Sequence, residues 1–133
     1  MQLKTLALSL LFIGAPVAAH AQDTTASTPA KPSAYFEFQV ERTALPLPSA
    51  MAGVTYPPEL RSQGVEGTVL VQFIVDTDGK PDMSTFKVLK SPHELFTKSV
   101  HDAVAKMRFQ PAQIDGRNVR QVVQQPFTFA LGH

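Results

Sequence analysis

An alternating run that ends in an Asp-Gly pair constrains the fold of this chain more than any other feature. Within VEGTVLVQFIV, the residues of one parity are all apolar: Val69, Val71, Phe73 and Val75. Such residues share one face of an extended chain, so the run predicts a β-strand with a buried side. Asp78-Gly79 favours a tight hairpin turn, and a second alternating run, STFKVLK, follows it. The sequence therefore predicts an antiparallel β-hairpin.

The carboxylates around this turn also suggest a calcium loop, which is the alternative to a simple hairpin. Asp76, Asp78 and Asp82 would offer oxygen ligands. A calcium loop, however, spans about twelve residues and ends in a glutamate that binds through both oxygens. In a loop that begins at Asp76, Lys87 occupies that last position, and Pro81 interrupts the chain. The pattern therefore favours a turn, and we predict no metal site.

Two helices and a last strand complete the predicted domain. YPPELRSQG, residues 56–64, places prolines in a first helical turn and a glycine at its end. SPHE, which starts at Ser91, has the capping-box pattern before an amphipathic run that extends to Met107. After the turn DGRN, a last strand is predicted from Val119 toward Leu131. The elements predict an α+β fold, and Pro126 predicts that the last strand lies at a sheet edge.

The first 52 residues divide into three segments that precede this domain. Residues 1–21 combine a lysine, an apolar stretch and an Ala-His-Ala site, the pattern of a signal peptide cleaved after Ala21. An uncleaved membrane anchor is the alternative. Residues 22–34 contain no large apolar side chain, which predicts a disordered tether. Residues 35–52 are predicted to form an extra strand and a proline-containing linker, and the domain itself is predicted over 53–133.

The extra strand is predicted from YFEFQV, and its placement has two interpretations. Phe36, Phe38 and Val40 share one parity, and exposing such a stripe is unfavourable by about 25 cal/mol per Å². In one interpretation the segment pairs with an open sheet edge, in the same chain or in a swapped partner, and its phenylalanines pack against the domain. In the other it is a disordered or separately packed arm. Short alternating runs do not decide between the two.

The sequence offers no combination of side chains suited to catalysis or to metal binding. It has no cysteine, which excludes thiol catalysis and thiolate metal sites. Ser99, His101 and Asp102 are too close along a helix to face one another, and His93 lies two turns from His101. Without Lys4 the chain has 11 basic and 11 acidic residues, a balance that does not favour nucleic acid. We predict no enzymatic activity, no cofactor, no small-molecule substrate and no nucleic-acid partner.

Several short motifs, taken together and in order, resemble the C-terminal domain of the TonB family. They are YP at 56–57, GVEG at 64–67, DG at 78–79, RFQPA at 108–112, and DGRNV with PFTF near the end. The resemblance extends from about Tyr56 to Leu131. It implies two helices packed on one face of a three-stranded antiparallel sheet. Met107, where the family usually has tryptophan, and the lack of a long proline-rich spacer are departures from the family pattern.

The resemblance implies a protein-binding role in the bacterial envelope. TonB C-terminal domains bind a short segment of outer-membrane receptors by β-augmentation of the last strand. By this likeness the chain is a non-enzymatic module in the periplasm of a Gram-negative bacterium, and its partners are TonB-dependent receptors or other envelope proteins in transmembrane transport. The alternative is an energy transducer anchored in the inner membrane by an uncleaved N-terminal helix, and homodimer formation is left open. The partner-binding residues implied are Thr55, Tyr56, Pro57, Val119, Arg120, Gln121, Val122, Val123, Gln124 and Gln125.

Overall fold

The computed structural model describes residues 31–48 and 53–132, together with Gly14. Apart from that glycine, the predicted signal peptide lies outside the described residues, as does most of the predicted tether. From Lys31 onward, the described residues form one compact unit. Across the described ranges, no helix is long and apolar enough to cross a membrane.

The unit has the predicted α+β class, with two α-helices and three antiparallel sheets among the described residues. In chain order the elements are β1 (Leu45–Pro46), α1 (Pro58–Ser62), β2 (Gly67–Val75), β3 (Pro81–Lys90), α2 (Glu94–Lys106), β4 (Phe109–Gln110), β5 (Ala112–Ile114), β6 (Arg117–Val119) and β7 (Gln121–Phe129). The main sheet has the strand order β3-β2-β7. Two short sheets, β1-β4 and β5-β6, were not predicted from the sequence. The last predicted strand is divided, with Val119 in β6 and residues 121–129 in β7.

The predicted hairpin joins β2 to β3 through residues 76–80. The Gly79 N–H donates to the Asp76 carbonyl at 2.9 Å, and the Asp76 N–H donates to the Lys80 carbonyl at 2.9 Å. Gly79 has a φ of 81°, a conformation that glycine adopts without steric cost. Its carbonyl accepts the Phe109 N–H at 2.8 Å, and a Cβ at this glycine would overlap the Phe109 carbonyl oxygen. The turn therefore holds β4 directly against the hairpin.

One hydrophobic core joins the main sheet to the helices. The four β2 residues that were predicted to share a face are all fully buried. Helix α2 adds Phe96, Val100 and Val104 to the same cluster, and α1 adds Leu60. Burying each side chain of this size stabilises the fold by about 1.5–3 kcal/mol. Phe127 and Phe129 of β7 belong to this cluster as well, so the core fixes which face of β7 points inward.

Helix α2 begins at Glu94 and its N-cap is His93, so the prediction of a Ser91 cap is wrong. The His93 Nδ1 accepts the Leu95 N–H at 3.1 Å. The Ser91 hydroxyl instead donates to the His93 carbonyl at 3.0 Å and accepts from the Thr97 hydroxyl at 2.6 Å. Strand β3 continues to Lys90. Residues 91–93 are therefore needed to turn the chain from the sheet into the helix, which delays the helix start.

The strand predicted at YFEFQV is wrong beyond its first residue. Tyr35 forms a single parallel bridge with Gln121 of β7, and Glu37–Gln39 then forms a 3-10 turn. The Gln39 side-chain oxygen accepts the Phe36 N–H at 2.9 Å, which satisfies locally a donor that a strand would have to pair. Phe36 and Phe38 stack on each other with ring centroids 5.7 Å apart. Both rings are exposed, which differs from the interpretation in which they pack against the domain.

The rest of this N-terminal segment nevertheless crosses the surface of the domain. The Arg42 N–H donates to the Gln113 carbonyl in β5 at 3.2 Å. The Ala44 N–H donates to the side-chain oxygen of Gln121 at 2.7 Å, and β1 then pairs with β4. These bonds make residues 35–46 an integral part of the folded unit.

Candidate peptide-binding edge

Strand β7 lies at an edge of the main sheet, as Pro126 predicted. It pairs with β2 along its whole length without a register shift, and among the described residues no other strand pairs with its outer side. The Val122 N–H points to that side, because it donates to the Tyr35 carbonyl at 2.8 Å. The Tyr35 N–H in turn donates to the Arg120 carbonyl at 2.9 Å. One residue of the N-terminal segment thus already occupies the beginning of this edge.

Alternate residues of β7 present their backbone groups to the outer side. In an antiparallel strand the N–H and C=O of one residue point to the same side, and the side alternates along the chain. Because Val122 points outward, Gln124, Pro126 and Thr128 do too. Pro126 has no N–H, and its outward position leaves the bonds between β7 and β2 intact. Within the part of the chain that the structure describes, Tyr35 is the one residue whose backbone bonds to this outer edge.

A groove of about 400 Å³ lies between this edge and the N-terminal segment. One side of the groove consists of β7 residues 121–125. The other side includes Phe36, Phe38, Leu45 and Pro46, and the buried Phe109 also lines it. The groove thus combines an exposed backbone edge with apolar side chains. Binding by strand addition uses both, the backbone for affinity and the pockets for specificity.

Five of the ten predicted site residues, Gln121 to Gln125, line this groove. The Gln121 side chain is buried and bonded to Ala44, and Val123 packs against the core. On the opposite face of the sheet, the Gln124 amide nitrogen donates to the Gln72 side-chain oxygen at 3.1 Å. Val119 ends the neighbouring strand β6. The structure therefore gives these residues different roles, although they follow one another in the sequence.

The structure places the other predicted segment, Thr55 to Pro57, away from the groove. The Tyr56 ring packs edge-on against Phe96 and Phe129, with centroids 5.7 and 5.5 Å away. Its hydroxyl donates to the Val65 carbonyl. Phe129 ends β7, at the opposite end from the groove. Tyr56 supports the core here, and the structure does not bring this segment together with Gln121 to Gln125.

Arg120, another predicted site residue, carries a buried charge. Its side chain is 7% exposed, and its Nη2 lies 2.8 Å from Asp82 Oδ2. Lys31 Nζ lies 2.8 Å from the same oxygen, and the Pro32 carbonyl accepts from Arg120 Nη1 at 2.8 Å. The hydrogen bonds from Lys31 and Ser84 lower the pKa of Asp82 to about 2. This charge cluster keeps the carboxylate ionised and holds the end of the predicted tether on the domain.

The histidines and carboxylates form no metal or catalytic site within the described residues. No group of three or more His, Asp or Glu side chains there could hold a metal ion. The Ser99 hydroxyl donates to the Thr55 carbonyl, whereas His101 Nδ1 lies 3.6 Å from its neighbour Asp102. The His101 ring packs edge-on against Phe86 at 5.0 Å. Each of these side chains makes a local contact, and they do not converge.

The groove side formed by the N-terminal segment was not among the predicted site residues. Phe36 and Phe38 were assigned to a strand because their spacing of two matches an alternating pattern. The following ALPLP run favours extended backbone without sheet partners. In the sequence, this run was the feature that indicated that the segment lies along the surface of the domain.

The family to which the chain belongs follows from comparison with known proteins. The sequence profile of the family described as Gram-negative bacterial TonB protein C-terminal matches residues 52–131. The chain belongs to this TonB C-terminal family. Strand β7 lies inside the match. The residues of the N-terminal segment that line the groove lie within 36–46 and precede the match.

Two known proteins show how far the likeness extends. Protein TonB of Pseudomonas aeruginosa (strain PAO1) is 34% identical over 85 residues, which cover 63% of this chain and 24% of that relative. This chain thus spans about a quarter of the length of the curated relative. The solution NMR structure of the P. aeruginosa TonB C-terminal domain matches with a TM-score of 0.56 and 33% identity, over 68% of this chain and 88% of that one. The fold is therefore similar to that of a TonB C-terminal domain.

Proposed function

We propose that this chain is a non-enzymatic binding module that captures an extended segment of an envelope protein by adding it as a strand to β7. The outward backbone groups from Gln124 to Thr128, a row that begins beside the groove, carry this proposal. Membership of the TonB C-terminal family supports it. The partners proposed are TonB-dependent outer-membrane receptors or other proteins of a transport complex, and the process is TonB-dependent transmembrane transport.

The affinity expected for such a partner follows from the backbone groups that the edge offers. Beyond Tyr35, the outward set comprises the N–H groups of Gln124 and Thr128 and the carbonyls of Val122, Gln124, Pro126 and Thr128. Each backbone hydrogen bond contributes about 1 kcal/mol net, so these six contribute about 6 kcal/mol. Micromolar binding corresponds to about 8 kcal/mol. Contacts in the groove must therefore supply the remainder, and backbone pairing alone gives weak binding.

Replacing Gln124 by proline should weaken peptide binding at least tenfold. Proline removes the outward N–H of this residue, whereas the bonds to β2 come from residues of the other parity. Val122 is a less suitable position because its N–H already donates to Tyr35. Isothermal titration calorimetry with synthetic TonB-box peptides measures the effect. A folded Gln124→Pro protein that binds as tightly as the wild type would contradict strand addition at β7.

The matched control for this experiment is Gln124→Ala. Alanine keeps the backbone N–H and loses only the side chain with its 3.1 Å bond to Gln72. We expect its affinity to stay within about twofold of the wild type, since that exposed bond contributes at most about 1 kcal/mol to the fold. Circular dichroism melts of both variants establish that each is folded before binding is compared.

Periplasmic localisation is part of the proposal and depends on the fate of residues 1–21. Cleavage after Ala21 would release the module into the periplasm, whereas an uncleaved segment would make the chain an inner-membrane energy transducer. N-terminal sequencing of protein purified from its native host distinguishes the two. A sequence that begins at Gln22 is expected, and retention of Met1 would favour the transducer.

A further inference from the structure

The exposed aromatic pair Phe36 and Phe38 is not explained by membership of the family. The two rings stack with an interplanar angle of 4°, yet Phe36 is 54% exposed and Phe38 is 84% exposed. Both precede residue 52, where the family match begins. Adjacent exposed apolar side chains are typical of interaction sites. The solvent exposure of these two rings therefore needs an explanation.

The backbone holds these rings in a fixed position. The Phe36 N–H donates to Gln39 Oε1 at 2.9 Å, and the Gln39 N–H donates to the Phe36 carbonyl at 2.9 Å. The turn is attached on one side through Tyr35 to β7 and on the other through Arg42 to Gln113. A surface that is already ordered loses little conformational entropy when a partner binds. The rings are thus presented by a rigid turn.

The rings lie beside the position that an added strand would take. They line the groove next to β7 together with Leu45 and the buried Phe109. Side chains of directly opposite residues in neighbouring strands lie on the same face of a sheet. A peptide residue opposite Val123 would therefore extend its side chain to the face where Val123 packs against the core. The apolar lining of the groove suits a large apolar side chain at that peptide position.

The charge of the groove indicates a second property of the segment that would bind there. Glu37 is the one ionisable side chain among the residues that line it. Glu37 is exposed, and no other described residue forms an ion pair with it. A basic side chain in the occupant would complement this carboxylate, and an acidic one would be repelled.

We infer that residues 36–46 make this domain selective for extended partner segments that carry a large apolar side chain opposite Val123 and a basic residue close to it. The apolar side chain contacts Phe36 and Phe38, the basic residue faces Glu37, and the following backbone pairs with β7 from Gln124 onward. This inference rests on the proposed strand addition to β7. It assigns selectivity to a segment that lies before the family match.

The test uses three acetylated and amidated octapeptides, KTFTVTQT, KTSTVTQT and ETFTVTQT, and the full chain. Binding is measured by fluorescence anisotropy with a dye at the peptide C-terminus. The wild type should bind the first peptide at least tenfold more tightly than the second and several-fold more tightly than the third. The double variant Phe36→Ser/Phe38→Ser should bind the first and second peptides equally. Leu89→Ser, which alters an exposed leucine on β3 outside the groove, should keep the wild-type preference.

Gln124→Pro distinguishes a failure of this selectivity from a failure of strand addition. If Gln124→Pro loses all three peptides but the double variant keeps the wild-type preference, strand addition stands and the selectivity is overturned. If no peptide binds the wild type, or if Gln124→Pro binds all three unchanged, strand addition itself is refuted. If the wild type associates with itself, the double variant is monomeric and no peptide is preferred, the rings contact a second copy of this chain and the inference is overturned.

Discussion

Replacing Gly79 by alanine should destabilise the domain by about 4 kcal/mol or prevent it from folding, because strain and overpacking act at one position. Its φ of 81° disfavours any residue with a Cβ. The added Cβ would also overlap the Phe109 carbonyl oxygen, and that backbone cannot move away freely because the Phe109 N–H is bonded to Gly79. Urea unfolding monitored by circular dichroism measures the loss.

Gly116→Ala is the control that isolates the contact with Phe109. Gly116 has a similar φ of 72°, but no atom lies within 4 Å of the position that its Cβ would take. The unfavourable φ alone should therefore lower the free energy of unfolding of this variant, by about 1 kcal/mol. Equal losses in the two variants would mean that the close approach of β4 to the hairpin turn contributes nothing, and the prediction for Gly79 would be wrong.

Replacing Asp82 by alanine should reduce the free energy of unfolding by about 3 kcal/mol, the range expected when a buried ion pair loses one partner. The change would leave the Arg120 guanidinium, in a side chain that is 7% exposed, without the carboxylate that lies 2.8 Å from it. Asp76 is a poor substitute, since its carboxylate lies 3.6 Å from Arg120 Nε. Lys31 would lose the same partner. Thermal and urea unfolding both report the change.

Two further variants make this prediction specific to the buried pair. Asp102→Ala removes an exposed carboxylate from α2 and should change stability by less than about 0.5 kcal/mol. In the double variant Asp82→Ala/Arg120→Met, no unpaired buried charge remains, so part of the lost stability should return. If the double variant is as unstable as the sum of its single changes, the ion pair is not the cause.

The Asp82 carboxylate also gives the fold a defined dependence on pH. The pKa of Asp82 falls from an ordinary value of 3.8 to about 2 in the folded protein, chiefly through the hydrogen bond from Lys31. The ionised carboxylate therefore stabilises the fold fully above about pH 4, and this contribution is lost as the pH falls through about 2. Melting temperatures of the wild type and of Asp82→Ala should converge between pH 4 and pH 2. A constant difference over that range would contradict the assignment.

Patterns confined to neighbouring residues predicted those parts of the fold that local physics determines. The buried face of β2 followed from alternation, and the edge position of β7 followed from a proline that a central strand cannot accommodate. The helix start at Ser91 was wrong because the length of β3, and not the capping pattern alone, determines where the chain can turn. The β7 side of the groove was thus predictable from the sequence as a sheet edge.

The other side of the groove depends on contacts that no local pattern contains. The Ala44 N–H donates to a side chain 77 residues later in the chain, and Arg120 bonds to a carbonyl 88 residues earlier. The alternation of Phe36 and Phe38 is equally compatible with a strand and with a turn that exposes both rings. Only the anchoring of the segment to β5 and β7 distinguishes the two, and that anchoring exists only in the folded protein.

The position of β7 as the last strand of the domain determines when the domain can fold. The β2-β3 hairpin is local and can form early, but an isolated two-stranded ribbon is marginally stable in water. The third strand of the sheet, β7, pairs Phe129 with Gly67. Pairings between residues so distant in sequence slow folding. A chain that emerges N-terminus first, from a ribosome or through a membrane, therefore completes this sheet only after Phe129 has appeared. Until then, the apolar face of the hairpin is exposed and can contact other molecules.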